Sequence, residues 1–182
     1  VTNRSKALQV SAEQLAKIKD ERLRCSVELQ RAFGLRREEC LKFQPAYAIR
    51  DDHIRLKPSW TKGGKARTVP VRTEDQRAVL AQARKLAGSG SMIPPELSYK
   101  DQLNRYTAAV AAAGLSKLHG LRHEYAQRRY AELTGWPAPA LGGPNTKALS
   151  PLQKAKDQEA RLMISRELGH EREQITAVYL GR

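Results

Sequence analysis

The stretch H-G-L-R-H-E-Y-A-Q-R-R-Y, residues 119–130, places His119, Arg122 and His123 within one turn if it is helical, because side chains three and four positions apart share a helix face. An arginine presents a planar fork that fits a phosphate, and a histidine takes or gives a proton near neutral pH. The combination suits an anion whose chemistry moves protons. Groups of the same kind recur at Arg36, just past Gly34; at Lys62, in T-K-G-G-K-A; and at His170, after Gly169. Tyr179 lies nine residues beyond His170 and offers a phenol as nucleophile. Each of these residues, taken alone, also has an ordinary reading as a packed or solvated side chain.

The charge balance says what the anion belongs to. The 182 residues carry 33 Lys and Arg against 19 Asp and Glu, a formal charge of +14 with a pI near 10.1. Such a field attracts polyanions, and nucleic acid is the leading partner class. No apolar run approaches the roughly 20 residues needed to cross a bilayer, and no cationic leader or lipidation signal is present, so a soluble intracellular protein is expected. Cys25 and Cys40 are too few for a disulfide framework or a zinc knuckle and read as buried thiols. The length fits one domain. The chain opens on Val1 rather than Met, which reads as a fragment or a processed product.

The elements that must position these groups follow from caps and periodicity. Residues 1–10 are polar and basic and read as a linker or arm. Ser11 and Gln14 form a capping box for a first helix with Leu15 and Ile18 inward, and a second helical run through Leu23, Val27 and Leu29 ends at Gly34. Arg36 then opens a short helix packed through Cys40 and Leu41. From Tyr47 the period becomes two. Tyr47 and Ile49, Ile54 and Leu56, then Arg67, Val69 and Val71 read as a three-stranded antiparallel meander, its K-G-G-K tip carrying Lys62 and Lys65. Helices are expected from Thr73 or Glu74 to Leu86, from the Ser98–Asp101 capping box to Gly114, and from Gly120 with Tyr125, Ala126 and Tyr130 in the core. Arg128 and Arg129 sit on another face of that last helix. Residues 135–152, rich in Gly and Pro, form an insertion loop. A helix resumes near Gln153 and is capped by Gly169, and a last short one packs through Ile175 and Val178.

The segments A-F-G-L-R-R-E-E, T-K-G-G-K-A-R-T-V-P-V, H-G-L-R-H and L-G-H-E-R-E-Q-I-T-A-V-Y resemble, in order and spacing, the four signature boxes of the tyrosine recombinases, the phage-type integrases. The resemblance runs from about Ser11 to Tyr179. It implies an α+β, mostly helical catalytic fold carrying the small three-stranded sheet. It also implies a site-specific DNA recombinase that cleaves and rejoins strands through a 3′-phosphotyrosyl link. Arg36 and Arg122 then match the phosphate clamps, Glu39 the acid that steadies the first, Lys62 the general acid, His119 and His170 the phosphate-bonding histidines, Tyr179 the nucleophile, and His123 a structural partner.

Elementary chemistry agrees with these roles. Guanidiniums aimed at nonbridging oxygens act more strongly as charge builds in the transition state. A phenol of pKa near 10 needs a base beside it. No metal and no cofactor are expected. Double-stranded DNA is the expected partner, with a homotetramer on DNA for the full-length protein, a monomer for the fragment, and no membrane association. The expected location is the bacterial cytoplasm, at the nucleoid.

Lys65, Arg67, Arg128 and Arg129 are candidate DNA contacts, with an exposed strand face and solvated helix charges as their plainer readings. The separation of Arg122 from His170 is long for the family, and the excess falls in the insertion, which either contacts DNA or a neighbouring subunit or is a surface loop. The family's usual N-terminal DNA-gripping domain has no room before Ser11, and three residues follow Tyr179. A catalytic domain that binds weakly by itself is therefore expected. A tyrosine-dependent topoisomerase and a catalytically decayed DNA-binding regulator are the alternatives.

Overall fold

Helix α2 (Glu21–Phe33) is defined at both ends by its own residues. Asp20 caps it by accepting from the Leu23 N–H, and Gly34 terminates it at φ +67°. Gly34 is required twice over, because a Cβ there would also lie 2.8 Å from the Tyr125 ring. The computed structural model describes residues 4–170, 172 and 176–182. Before α2 stands α1 (Ala12–Ala16), opened by the expected Ser11–Gln14 capping box. After it come α3 (Arg37–Lys42), with Cys40 and Leu41 buried, and α4 (Pro45–Ala48).

Strands β1 (His53–Leu56) and β2 (Arg67–Pro70) pair antiparallel, Ile54 opposite Val69 and Leu56 opposite Arg67. Ile54, Leu56 and Val69 are fully buried, as period-two alternation requires. The third strand expected at Tyr47–Ile49 does not form. Pro45 at the first helical position starts a turn instead, and only the isolated bridge Ile49–Ile54 remains of that pairing. Tyr47 is held by cations and an aromatic edge, with the Arg55 guanidinium 4.1 Å from its ring centroid and Trp60 at 5.8 Å. Trp60 is a buried packing residue between Tyr47 and Phe43.

Helices α5 (Glu74–Ala87) and α6 (Tyr99–Ala112) start at the capping boxes of Thr73 and Ser98. Helix α7 (Gly120–Thr134) lies between α2 and α8 (Pro151–Leu168), and α9 (Ala177–Leu180) packs on α7. No helix among the described residues is long and apolar enough to cross a membrane. Residues 135–150 contain two single 3-10 turns, Pro139–Leu141 and Thr146–Ala148. The segment is anchored: Ala138, Pro139 and Leu149 are buried, and the Trp136 indole donates to the Tyr130 hydroxyl at 3.1 Å. The Pro139–Leu141 turn also packs against α9. The last inward pair expected from the sequence is not seen, because Val178 is 50% exposed; Ile175 lies outside the described residues.

Helices α7 and α8 are locked by ions as well as by apolar packing. Arg129 is buried and pairs with Glu167 at 3.1 Å, while the Tyr125 hydroxyl donates to the same carboxylate at 2.5 Å. Arg129 is therefore neither a solvated charge nor a surface available to DNA. Arg128 stays at the surface, bonded to the Arg31 carbonyl and near Glu124. Removing one partner of a buried pair strands the other, so Glu167→Ala is expected to cost about 3–5 kcal/mol by urea unfolding. Arg129→Met combined with Glu167→Met should recover most of that loss. A cost for Glu167→Ala below about 1 kcal/mol would show that the pair is solvated.

Candidate active site

Arg122 is the most enclosed functional group, 1% exposed at the first turn of α7. Its Nη1 donates to the Gly34 carbonyl at 2.6 Å and its Nη2 to the Leu168 carbonyl at 2.7 Å. These carbonyls lie at the C-terminal ends of α2 and α8, where unpaired carbonyls and the negative end of the helix dipole face outward. The third donor, Nε, points at the Tyr179 hydroxyl 3.5 Å away. Burial pulls the guanidinium pKa down to about 10, with Tyr179 opposing that shift and the charges of Arg36 and Arg67 adding to it. It remains a cation at neutral pH.

Arg36 occupies the N-cap of α3 in an extended conformation. Its N–H donates to Glu39 Oε1 at 2.8 Å, and its Nη1 lies 3.4 Å from Oε2. Glu39 is fully buried and is gripped on both oxygens by Arg67, whose Nη2 donates to Oε1 at 2.8 Å while Nη1 donates to Oε2. Burial alone would raise the Glu39 carboxyl. The hydrogen bonds and charge of Arg67, the Arg36 N–H and the charge of Arg122 outweigh burial and hold it below the usual carboxylate range. Arg67 Nε donates to the Glu167 carbonyl at 2.9 Å. Arg67, expected as a DNA contact, has a largely enclosed side chain that ties β2, α3 and α8 together, and it also lines the cleft that Lys62 faces.

The remaining groups converge on Tyr179, which is buried on α9. Its ring centroid lies 4.5 Å from His123, 5.5 Å from His170 and 6.1 Å from His119. His170 is placed by the end of α8, where Gly169 turns the chain at φ +82° and the His170 N–H reaches back to the Ser165 carbonyl at 2.8 Å. Its Nε2 is buried and has no hydrogen-bond partner among the described residues, and the same holds for Nδ1 of His123. Burial first, then the charge of Arg122 with its neighbours, lowers His170 to about 4. Burial, then His119, Lys6 and Arg122, lowers His123 to about 4. His119 is lowered for the same reasons, with Arg122, Arg36 and Lys62 contributing. All three are neutral imidazoles at pH 7.

Lys62 sits on the exposed turn before Gly63, a turn closed by the Thr61 hydroxyl on the Lys65 carbonyl at 2.8 Å. It faces the other groups across an open cleft of about 1190 Å³, lined among others by Arg36, Lys65, Arg166, His170 and Arg172. A neighbouring cleft of about 570 Å³ shares Arg36 and Lys62 and is bordered by Arg37, Lys117, His119 and Arg122. The structure thus brings Arg36, Lys62, His119, Arg122, His170 and Tyr179 to one place. Lys65 borders it, Glu39 supports it from beneath, and Arg128 is absent from the lining of both clefts. Sequence reasoning missed Arg166 and Arg172 in the wall and Gln127 behind Tyr179. Arg166 had one usable signal, a basic residue in the last turn of a helix ending at the site; Gln127 had none.

The family model described as Integrase matches residues 3–128, which include Arg36, Lys62, His119 and Arg122 and stop before His170 and Tyr179. No curated protein matches the chain in sequence. Among solved structures, the catalytic domain of bacteriophage HP1 integrase is similar over 95% of this chain and 86% of that one, with 20% identity and a TM-score of 0.59. XerH site-specific recombinase, in a post-cleavage complex with a palindromic difH substrate, is similar over 97% of this chain and 49% of its own, with 16% identity and a TM-score of 0.58. A lambda integrase tetramer bound to a Holliday junction is similar over 100% and 50%, with 18% identity and a TM-score of 0.57. The chain thus spans about half the length of the XerH structures it matches. At these identities the likeness establishes the fold, and the family match covers the clamp and hairpin residues that the fold brings to Tyr179. The chain belongs to the integrase family, and its fold is that of the tyrosine recombinase catalytic domain.

Proposed function

We propose that the protein is a site-specific DNA recombinase that cleaves and rejoins strands through a 3′-phosphotyrosyl intermediate. The observation that carries this reading is the Tyr179 hydroxyl 3.5 Å from Arg122 Nε, inside a wall of three histidines. A scissile phosphate in the cleft lies between Arg36 and Arg122, whose charges stabilise the nonbridging oxygens most when phosphorus is five-coordinate. The Tyr179 oxygen attacks phosphorus, and its proton passes to neutral His119 or His170. The 5′ oxygen leaves with a proton from Lys62. A 5′ hydroxyl from another strand reverses the attack and conserves the bond energy.

Residues 11–182 form the catalytic unit in this reading, with 135–152 as its insertion and residues 1–10 as the arm leading into it. The partner is double-stranded DNA, and the working assembly is a homotetramer on it, in the cytoplasm at the nucleoid. The lambda integrase tetramer on a Holliday junction and the DNA-bound XerH support this as relatives of like fold.

A library of duplexes with a central nick and randomised flanks provides the test, because the nick lets the short 5′ fragment escape and traps the covalent adduct. Wild type should be captured and Tyr179→Phe should not; absence of any wild-type adduct across the library would overturn the reading. Transfer between two captured duplexes, as against relaxation of one supercoiled circle, separates recombinase from topoisomerase. Lys62→Ala should slow cleavage by about 10²- to 10⁴-fold. That loss should shrink on a substrate whose leaving oxygen is replaced by sulfur, since a thiolate departs without an acid.

The histidines set the pH behaviour. An acceptor histidine must be neutral to take the phenolic proton, so with His170 in that role cleavage at limiting DNA should fall as pH drops toward about 4. At saturating DNA the phosphate charge raises their pKa, and the fall should begin at higher pH. Stability follows the same sign. A histidine depressed on folding binds fewer protons folded than unfolded, so stability is fully present above about 6.5 and is lost as pH falls through about 4. Urea midpoints that rise on acidification through this window would contradict it.

A further inference from the structure

Tyr179 stands on one of the shortest helices of the fold. Helix α9 is four residues long, its N-cap Thr176 makes no side-chain cap bond, and a single backbone bond closes its end, from the Gly181 N–H to the Ala177 carbonyl at 2.9 Å. A helix this short has no stability of its own, and its last carbonyls find no partner within it. One of those carbonyls belongs to Tyr179 itself. It is not left unpaired: Gln127, 2% exposed on α7, donates to it from Nε2 at 3.0 Å.

The same Gln127 amide continues to the N-terminal segment. Nε2 lies 3.1 Å from Ser5 Oγ, and the Ser5 hydroxyl returns a bond to Oε1 at 3.3 Å. Ser5 Oγ also accepts the Ala7 N–H at 3.1 Å, and the Leu8 N–H donates to the Gly120 carbonyl at 3.0 Å in the first turn of α7. Residues 5–8 therefore run along the helix that carries His119 and Arg122 and end their side-chain contacts on the residue that holds Tyr179. Opposite this grip, the Pro139–Leu141 turn closes on α9.

We propose that Gln127 is a positioning residue for the nucleophile, holding Tyr179 by its own carbonyl at the distance from Arg122 that attack requires, with Ser5 orienting the Gln127 amide. It touches neither phosphate nor the phenolic oxygen and acts only through where Tyr179 stands. Misplacing an attacking atom by about 1 Å costs on the order of 10²-fold in rate. The expected signature is therefore a slower tyrosine attack on an unchanged phosphate pocket.

The inference rests on Tyr179 being the nucleophile, and the experiment keeps the two apart. Single-turnover covalent capture is measured on a nicked duplex selected by the wild-type protein, beside DNA affinity. Gln127→Leu should lower the capture rate by about 10- to 100-fold with affinity within about twofold of wild type. Ser5→Ala should give a smaller loss in the same direction. Hydrogen peroxide supplies the readout that a merely structural role would not spare: in a Tyr179→Phe background its hydroperoxide anion attacks the phosphorus directly, and the 5′ oxygen leaves protonated as before. Peroxide cleavage should be the same in Tyr179→Phe and in Tyr179→Phe combined with Gln127→Leu.

Capture by Gln127→Leu at the wild-type rate overturns the proposal. So does an equal loss of tyrosine-driven and peroxide-driven cleavage, because the damage would then lie in the phosphate pocket. Should Gln127→Leu fail to fold, Gln127→Glu keeps the shape, removes the donor and is held to the same two outcomes. Failure of the underlying reading looks different: wild type forms no adduct, or Tyr179→Phe still forms one.

Discussion

A guanidinium buried without a carboxylate is the constraint on which the structure turns. Arg122 is enclosed by protein, and its two terminal nitrogens are met by backbone carbonyls, of Gly34 and of Leu168. Burying a charge is costly unless it is hydrogen-bonded. A carboxylate would meet that need and also cancel the field the site depends on. Two helix C-termini supply the hydrogen bonds and a partial negative potential while leaving most of the positive charge for a phosphate. Much of the architecture follows from this. Helices α2 and α8 must both end at Arg122, and Gly34 and Gly169, each with positive φ, turn the chain away at those ends. The buried Arg129–Glu167 pair then fixes α8 against α7 one residue before the carbonyl that Arg122 needs.

The second arginine of the site, Arg36, is organised by the opposite device. Arg36 does have a carboxylate beside it, Glu39, but Arg67 engages both oxygens of that carboxylate from the other side. Three guanidiniums and one carboxylate share the region, so net positive charge survives where Arg36 faces the cleft. Burial first, and then the surrounding cations, keeps His119, His123 and His170 neutral. The arginines thus carry the charge of the region, and the enclosed histidines add none to it.

The positions of Arg36, Lys62, His119 and His170 were legible in the sequence because each occupies a place that local rules mark: a glycine cap before Arg36 and before His170, a Gly-Gly turn beside Lys62, a helix start at His119. Capping boxes at Ser11 and Ser98 made those helix starts equally plain. The third strand was misread because Tyr47 and Ile49 are two apart in a helical turn opened by Pro45 just as they would be in a strand. The ion pairs of Arg67 and Arg129 were missed for a different reason. An arginine on a basic chain looks like a solvent or DNA contact until its partner is known, and Glu39 and Glu167 are 28 and 38 residues away. Partnership across such distances is decided by packing and leaves no trace in local spacing.

A related distinction separates the parts of the site by what holds them. Arg122 and Glu39 belong to a body of helix ends locked by buried ion pairs and enclosed side chains, whereas Lys62 stands on an exposed turn. Tyr179 is not part of that body in the same sense, since its four-residue helix borrows its stability from Gln127, from the Pro139–Leu141 turn and from the burial of Leu180. Local opening free energies track the contacts an element owns, so the place of Tyr179 beside Arg122 depends on the groups that α7 and the Pro139–Leu141 turn lend to α9.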